Sequence, residues 1–180
     1  LIFIHVLNQA GYAINKVQVS TLQAVSGAGR SGLESKNFKQ NVVPFIIGEE
    51  EKTVNEPLKI LGAVTKNGIK ICSKINFSAT CTRVPVIEGH TAIVHVNFKK
   101  DIPSINKIKT IIKEYVSPIK TMNLPMSPKE PIIYLEDENR PQPKLDANQG
   151  NGMSVSIGRL SKDKFFNLRF IGLSNNIIRG

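Results

Sequence analysis

Arg83 and His90 stand seven residues apart in the run Thr82-Arg83-Val84-Pro85-Val86-Ile87-Glu88-Gly89-His90-Thr91. A guanidinium grips a carboxylate through two parallel hydrogen bonds, and an imidazole titrates near neutrality and moves protons. On an unbroken strand, residues seven apart would point to opposite faces. Pro85 and Gly89 interrupt this run, so a turn or bulge is expected to bring both side chains into one pocket.

Three other segments carry residues that packing does not demand. Thr21-Leu22-Gln23 ends a β-branched stretch and enters Ser26-Gly27-Ala28-Gly29, which offers a side-chain amide and closely approachable backbone N–H groups at a chain reversal. Glu49 and Lys52 lie one turn apart at the start of an expected helix. Ser174-Asn175-Asn176 follows the last strand-like run and could present amides to a ligand. Taken singly, each has an ordinary reading: a tight glycine loop, acidic complements to a helix dipole, a structural histidine, a helix cap.

The bulk properties exclude several classes. The 180 residues are 41% hydrophobic and 21% charged, a globular balance with enough chain for one sizeable core. No apolar run is long enough to span a bilayer; Val42–Gly48 is broken by Pro44. Cys72 and Cys81 have no CxxC partner and His5, His90 and His95 are scattered, so neither a disulfide framework nor a metal site is expected, and a reducing cytoplasm fits. The net charge of +10 is spread along the chain, with no Trp and 6% aromatics. That reads as a solvated lysine-rich surface compatible with a small anionic substrate, not a nucleic-acid stripe.

The elements that must position these residues follow from periodicity. Lys16–Gln23, Ile69–Ala79, Thr91–Lys99, Met153–Leu160 and Phe165–Leu173 read as strands, the last two joined by a turn around Asp163. Glu51–Leu61 and Ser104–Tyr115 read as helices, with Gly62 as a C-cap and Ser104 as an N-cap. Ser26–Gly32 reads as a glycine-dense turn and Met122–Pro131 as an extended loop. Leu1–Leu7 is apolar and lacks a starting Met, a basic region or a cleavage site; it reads as the middle of a helix that begins upstream. The expected class is α+β, one mixed sheet with helices on one face. The other face, expected to be apolar too, would then be covered by a second subunit.

The stretches STLQAVSGAG, NVVPFIIGEEEK, TRVPVIEGHT, RPQPKLDANQGNGMSVSIGR and LSNNIIRG, in this order, resemble the archaeal and fungal branch of aspartate-semialdehyde dehydrogenases. The resemblance runs from about Lys16 to Gly180. It implies a glyceraldehyde-3-phosphate-dehydrogenase-like C-terminal domain for catalysis and dimerisation over residues 1–173, with 174–180 starting a segment that returns to an NADP-binding domain. It implies NADPH-dependent reductive dephosphorylation of aspartyl β-phosphate to aspartate semialdehyde through a cysteine thioester, a step towards lysine, threonine and methionine. It assigns His90 the general acid/base, Gln23 the orientation of the acyl group and Arg83 the substrate α-carboxylate. Glu49 and Lys52 fall to the substrate amine and phosphate region, and Ser26, Gly27, Ala28, Gly29 and Asn176 to the cofactor near its nicotinamide. The implied partners are the small-molecule substrate and a second copy, as a homodimer or a tetramer of paired dimers, without nucleic acid or membrane.

The family's Asn-Cys-Ser/Thr nucleophile motif and its glycine-rich dinucleotide loop have no counterpart in this sequence. Neither Cys72 nor Cys81 stands in the nucleophile's place. The isolated chain is therefore expected to be inactive on its own. Malonyl-CoA reductase and N-acetylglutamyl-phosphate reductase are alternatives of similar architecture, and an inactive dimerisation module is a third.

Overall fold

The computed structural model describes residues 1–30, 38–122 and 124–179. Its centre is a six-stranded mixed sheet built from β1 (Ile14–Gln23), β4 (Asn76–Arg83), β5 (His90–Phe98), β6 (Ile132–Leu135), β7 (Val155–Lys162) and β8 (Leu168–Ser174). The spatial order is β4-β1-β5-β8-β7-β6. β4 runs parallel to β1 and β6 parallel to β7; the remaining pairs are antiparallel. A separate hairpin joins β2 (Ala63–Thr65) to β3 (Gly68–Lys70).

Helix α1 (Ile2–Gln9) buries Phe3, Ile4, Val6 and Leu7 against the sheet. The Phe3 ring meets Phe170 of β8 edge-on, with centroids 4.8 Å apart, an arrangement that adds about 0.5–1.5 kcal/mol beyond area burial. Helix α3 (Ile105–Glu114) carries Ile108, Ile111 and Ile112 on its buried stripe, and the Ser104 hydroxyl accepts the Lys107 N–H at 3.1 Å as its N-cap. Helix α2 (Glu49–Ile60) has no buried residue and lies against β4, where the Thr53 hydroxyl meets the Cys81 sulfur at 3.6 Å. All three helices cover one face, that of Val17, Val94, Val96 and Phe170. A single turn, α4 (Pro143–Asp146), sits at one end of the opposite face, bringing Pro143 and Ala147 towards Gly89 and Leu173.

Several expectations need correction. Ile69–Ala79 is not one strand: Lys70 ends the hairpin, residues 71–75 are irregular, and β4 starts at Asn76. Helix α2 ends on Leu61 in a right-handed conformation, so Gly62 is not a left-handed cap; a Cβ there would strike the Lys70 carbonyl at 2.3 Å, and close approach is why glycine stands at 62. Strand β6 and turn α4 carry no pattern the sequence reading used. Ser31 and Gly32 of the expected turn lie outside the described residues, as do Asn123 and Gly180. The second sheet face is mostly polar, not apolar: Gln18, Ser20, Ser78, Thr80, His95 and Arg169 share it with Leu22, Ile93, Ile171 and Leu173. No described helix is long and apolar enough to cross a membrane.

Candidate active site

Register places the chemistry. β1 pairs in parallel with β4 up to Gln23↔Arg83, and antiparallel with β5 up to Leu22↔Thr91, one step before Gln23 would face His90. Side chains alternate along a strand, so Gln23, Arg83 and His90 all emerge on the helix-covered face at one end of the sheet. The expected kink within a single strand is therefore replaced by two strands with β1 inserted between them. The convergence was correctly anticipated, its cause was not.

Within the cluster, Arg83 Nη1 donates to the Ala24 carbonyl at 2.9 Å and to Gln23 Oε1 at 3.4 Å. Gln23 Nε2 donates in turn to Glu49 Oε2 at 3.0 Å. The amide so links a cation to an anion, with its oxygen towards the guanidinium and its nitrogen towards the carboxylate. Burial lowers the Arg83 pKa from its ordinary value, and nearby Glu49 opposes that. Both of these Arg83 side-chain bonds leave from Nη1. Val43 holds Arg83 from the sheet's outer edge through two backbone hydrogen bonds of 2.8 and 2.9 Å.

His90 is fixed by main chain. The Ala24 N–H donates to Nδ1 at 3.1 Å. A backbone N–H can only donate, so Nδ1 is the acceptor and the ring proton sits on Nε2. Burial, then the Arg83 charge, push the His90 pKa down to about 4, with Glu49 opposing. The ring is neutral at physiological pH.

The expected glycine loop is a short 3-10 turn, Val25–Ala28. Its Gly27 has a close-approach role: a Cβ there would lie 2.7 Å from Arg83 Nη1 and 3.0 Å from His90 Nε2 and Cε1. Gly29 is left-handed (φ +70) with nothing within 4 Å of its missing Cβ, so the far end of the turn is open. Asn176 bridges Ser26 and the His90 approach: its Nδ2 donates to Ser26 Oγ at 2.9 Å and its Oδ1 accepts the Gly89 N–H at 2.8 Å. The preceding Asn175 is the turn cap, accepting from the N–H groups of Ile177 and Ile178. Lys52 is the peripheral member, 3.7 Å from Glu49 with its side chain more than half exposed.

The sequence reading missed Ala24, whose contribution is entirely main chain and so leaves no residue-type signal. It also missed Glu50, which accepts the Cys81 N–H at 3.1 Å and seats the first turn of α2 on the edge strand. Three consecutive glutamates concealed that division of labour. A cavity of ≈390 Å³ opens beside the cluster; Leu1, His90, Ser174 and Arg179 line it together with apolar side chains such as Phe77 and Phe170. Neither cysteine serves as an exposed nucleophile here: Cys81 is fully buried against Thr53, and Cys72 packs at the edge of the apolar core.

A family profile described as the dimerisation domain of semialdehyde dehydrogenases matches residues 5–179. The chain belongs to that family. It is 45% identical to an aspartate-semialdehyde dehydrogenase of Archaeoglobus fulgidus over 168 residues, covering 93% of this chain and 47% of the relative. It is 41% identical to the Cryptococcus neoformans protein of the same name over 179 residues, covering 97% of this chain and 49% of the relative. The chain thus spans about half the length of the curated relatives it matches. The crystal structure of the Candida albicans aspartate-semialdehyde dehydrogenase with NADP superposes with a TM-score of 0.84 at 35% identity, covering 97% of this chain and 48% of that one. This family membership agrees with the order of the motifs read from the sequence.

Proposed function

We propose that this semialdehyde dehydrogenase domain is the substrate-handling half of an NADPH-dependent, cytoplasmic aspartate-semialdehyde dehydrogenase that reductively dephosphorylates aspartyl β-phosphate. The observation that carries the reading is the convergence of Arg83, Gln23, Glu49 and His90 at one sheet end beside the cavity. Arg83 offers Nη2 and Nε to the substrate α-carboxylate as a two-pronged donor. Glu49 supplies the negative charge for the substrate ammonium, and Lys52 reaches the phosphoryl group from the solvent side. His90, neutral with its proton on Nε2, donates from that nitrogen to charge developing on a reacting oxygen; taking a proton there requires giving up the Ala24 hydrogen bond. Gln23 acts on the acyl group through the guanidinium and carboxylate that set its amide's direction.

NADP is assigned to the turn at Ser26–Gly29, where Gly29 is open and Gly27 lets the main chain come close to Arg83 and His90; the cofactor supplies hydride when bound. Asn176 lies at the same edge. The acyl-accepting thiol is assigned to a segment outside these 180 residues. A homodimer follows from the domain's family, with a second copy as partner.

The test joins the chain to the cofactor-binding half of a relative and measures NADPH oxidation with aspartyl phosphate. His90→Asn should lower turnover at least about 100-fold; full turnover in that variant would remove His90 from the mechanism. Preference for malonyl-CoA over aspartyl phosphate would reassign the substrate.

A further inference from the structure

We propose that Asn176 is a positioning residue for His90: by bridging Ser26 to Gly89 it holds the Ala24 N–H on Nδ1 and confines the imidazole to its Nε2–H tautomer. The consequence for catalysis rests on the reading of His90 as the proton-handling group; the structural claim does not.

The geometry is a closed bracket. Ala24 and Ser26 belong to one backbone piece, Gly89 and His90 to another, far apart in sequence. Three hydrogen bonds cross between them near the ring: Ala24 N–H to Nδ1 at 3.1 Å, Ser26 N–H to the Ile87 carbonyl at 3.2 Å, and Val25 N–H to the Val86 carbonyl at 2.8 Å. Asn176 ties the two pieces through a third segment, two residues from Ala24 on one side and one residue from His90 on the other. Both functional ends of its amide are engaged. Asn175 anchors the bracket itself, buried and donating to Asn148 Oδ1 at 3.0 Å.

A donor aimed at Nδ1 stabilises the neutral ring and opposes the imidazolium, which would set two N–H groups against each other. This effect adds to burial and to the Arg83 charge in keeping the ring neutral. The other charged groups around His90 are Glu49 from α2, and Glu56 and Arg179 on the shared cavity. None of them donates to Nδ1 in the structure; Ala24 does. Loosening the bracket therefore raises the His90 midpoint even though every charge stays in place.

The experiment is an NMR titration of the 180-residue chain, following the ring nitrogens and Cε1–H of its three histidines, with His5 and His95 as internal references. Asn176→Ala should move the His90 midpoint upward by about one pH unit and weaken the acceptor signature of Nδ1. Ser26→Ala, which removes one arm of the bracket, should move it less in the same direction, and Ser26→Thr, which keeps the hydroxyl, should restore it. If Asn176→Ala fails to fold, the two Ser26 variants decide the matter. An unchanged His90 midpoint and Nδ1 signal in a folded Asn176→Ala or Ser26→Ala chain overturns the proposal. The readout needs no turnover, so a failed activity assay and a failed bracket remain separate results.

Discussion

Arg83 Nη1 lies 3.4 Å from Gln23 Oε1, and the same amide reaches Glu49 with its nitrogen at 3.0 Å. Gln23 is 5% exposed, so its amide has little water to fall back on. Replacing it by leucine leaves two charged groups without their common partner. Gln23→Leu should lower unfolding stability by about 1–3 kcal/mol, read as a lower urea midpoint at unchanged slope. Gln23→Glu keeps an acceptor for Arg83 but sets a second carboxylate against Glu49. Its loss should therefore grow as pH rises through the carboxylate range, and a flat profile would show that the two groups do not touch.

His90 gives the chain an acid-sensitive contribution with a defined direction. Its folded pKa of about 4 lies below the ordinary histidine value of 6.5, so the unfolded chain binds more protons between them. Stability is complete above the unfolded value and falls as pH drops through the window from 6.5 to 4. The slope there is at most about 1.4 kcal/mol per pH unit, and less once water screens the partly exposed ring. Urea unfolding of the parent chain and of His90→Asn at pH 4.5 and 7.5 measures it. The parent should lose more on acidification than the variant, and parallel losses would place the ring in an ordinary solvated setting.

Gly27 makes a separate demand. A methyl group at 27 meets side-chain atoms of Arg83 and His90, not backbone, so the fold can adjust where the chemistry cannot. Gly27→Ala should unfold within a few kcal/mol of the parent. In the two-half enzyme it should cost about 100-fold in turnover through misplacement of the pair. Thermal melting and steady-state kinetics on the same protein separate the two effects.

The elements with strong periods were legible. The stripe Ile108, Ile111, Ile112 announced α3, and the alternation of Val17 and Val19 announced β1. Spatial order was not: nothing in the spacing of Arg83 and His90 says that β1 lies between their strands, because pairing partners are chosen by tertiary packing. β6 is four residues long and preceded by Pro131, too short for a period to show. The candidate residues stood out by type, whereas the parts that hold them, Ala24 and Val43, act through backbone atoms that every residue possesses.

The open sheet face supplies a last prediction, about assembly. Ile93 of β5 and Ile171 of β8 are register partners there, half-buried, with Leu22 and Leu173 beside them towards one end and His95, Arg169, Gln18 and Ser20 on the other sides. A small apolar patch on an otherwise polar face is the composition of a subunit contact more than of a hydrophobic core, and the family's dimerisation-domain description points to a second copy as its occupant. A carboxylate at the centre of such a contact would be buried against its own symmetry mate, with like charges opposed. Sedimentation should therefore find the parent chain dimeric and Ile171→Asp monomeric, while Val64→Asp on the exposed hairpin stays dimeric. A dimer that survives Ile171→Asp would move the contact away from this face.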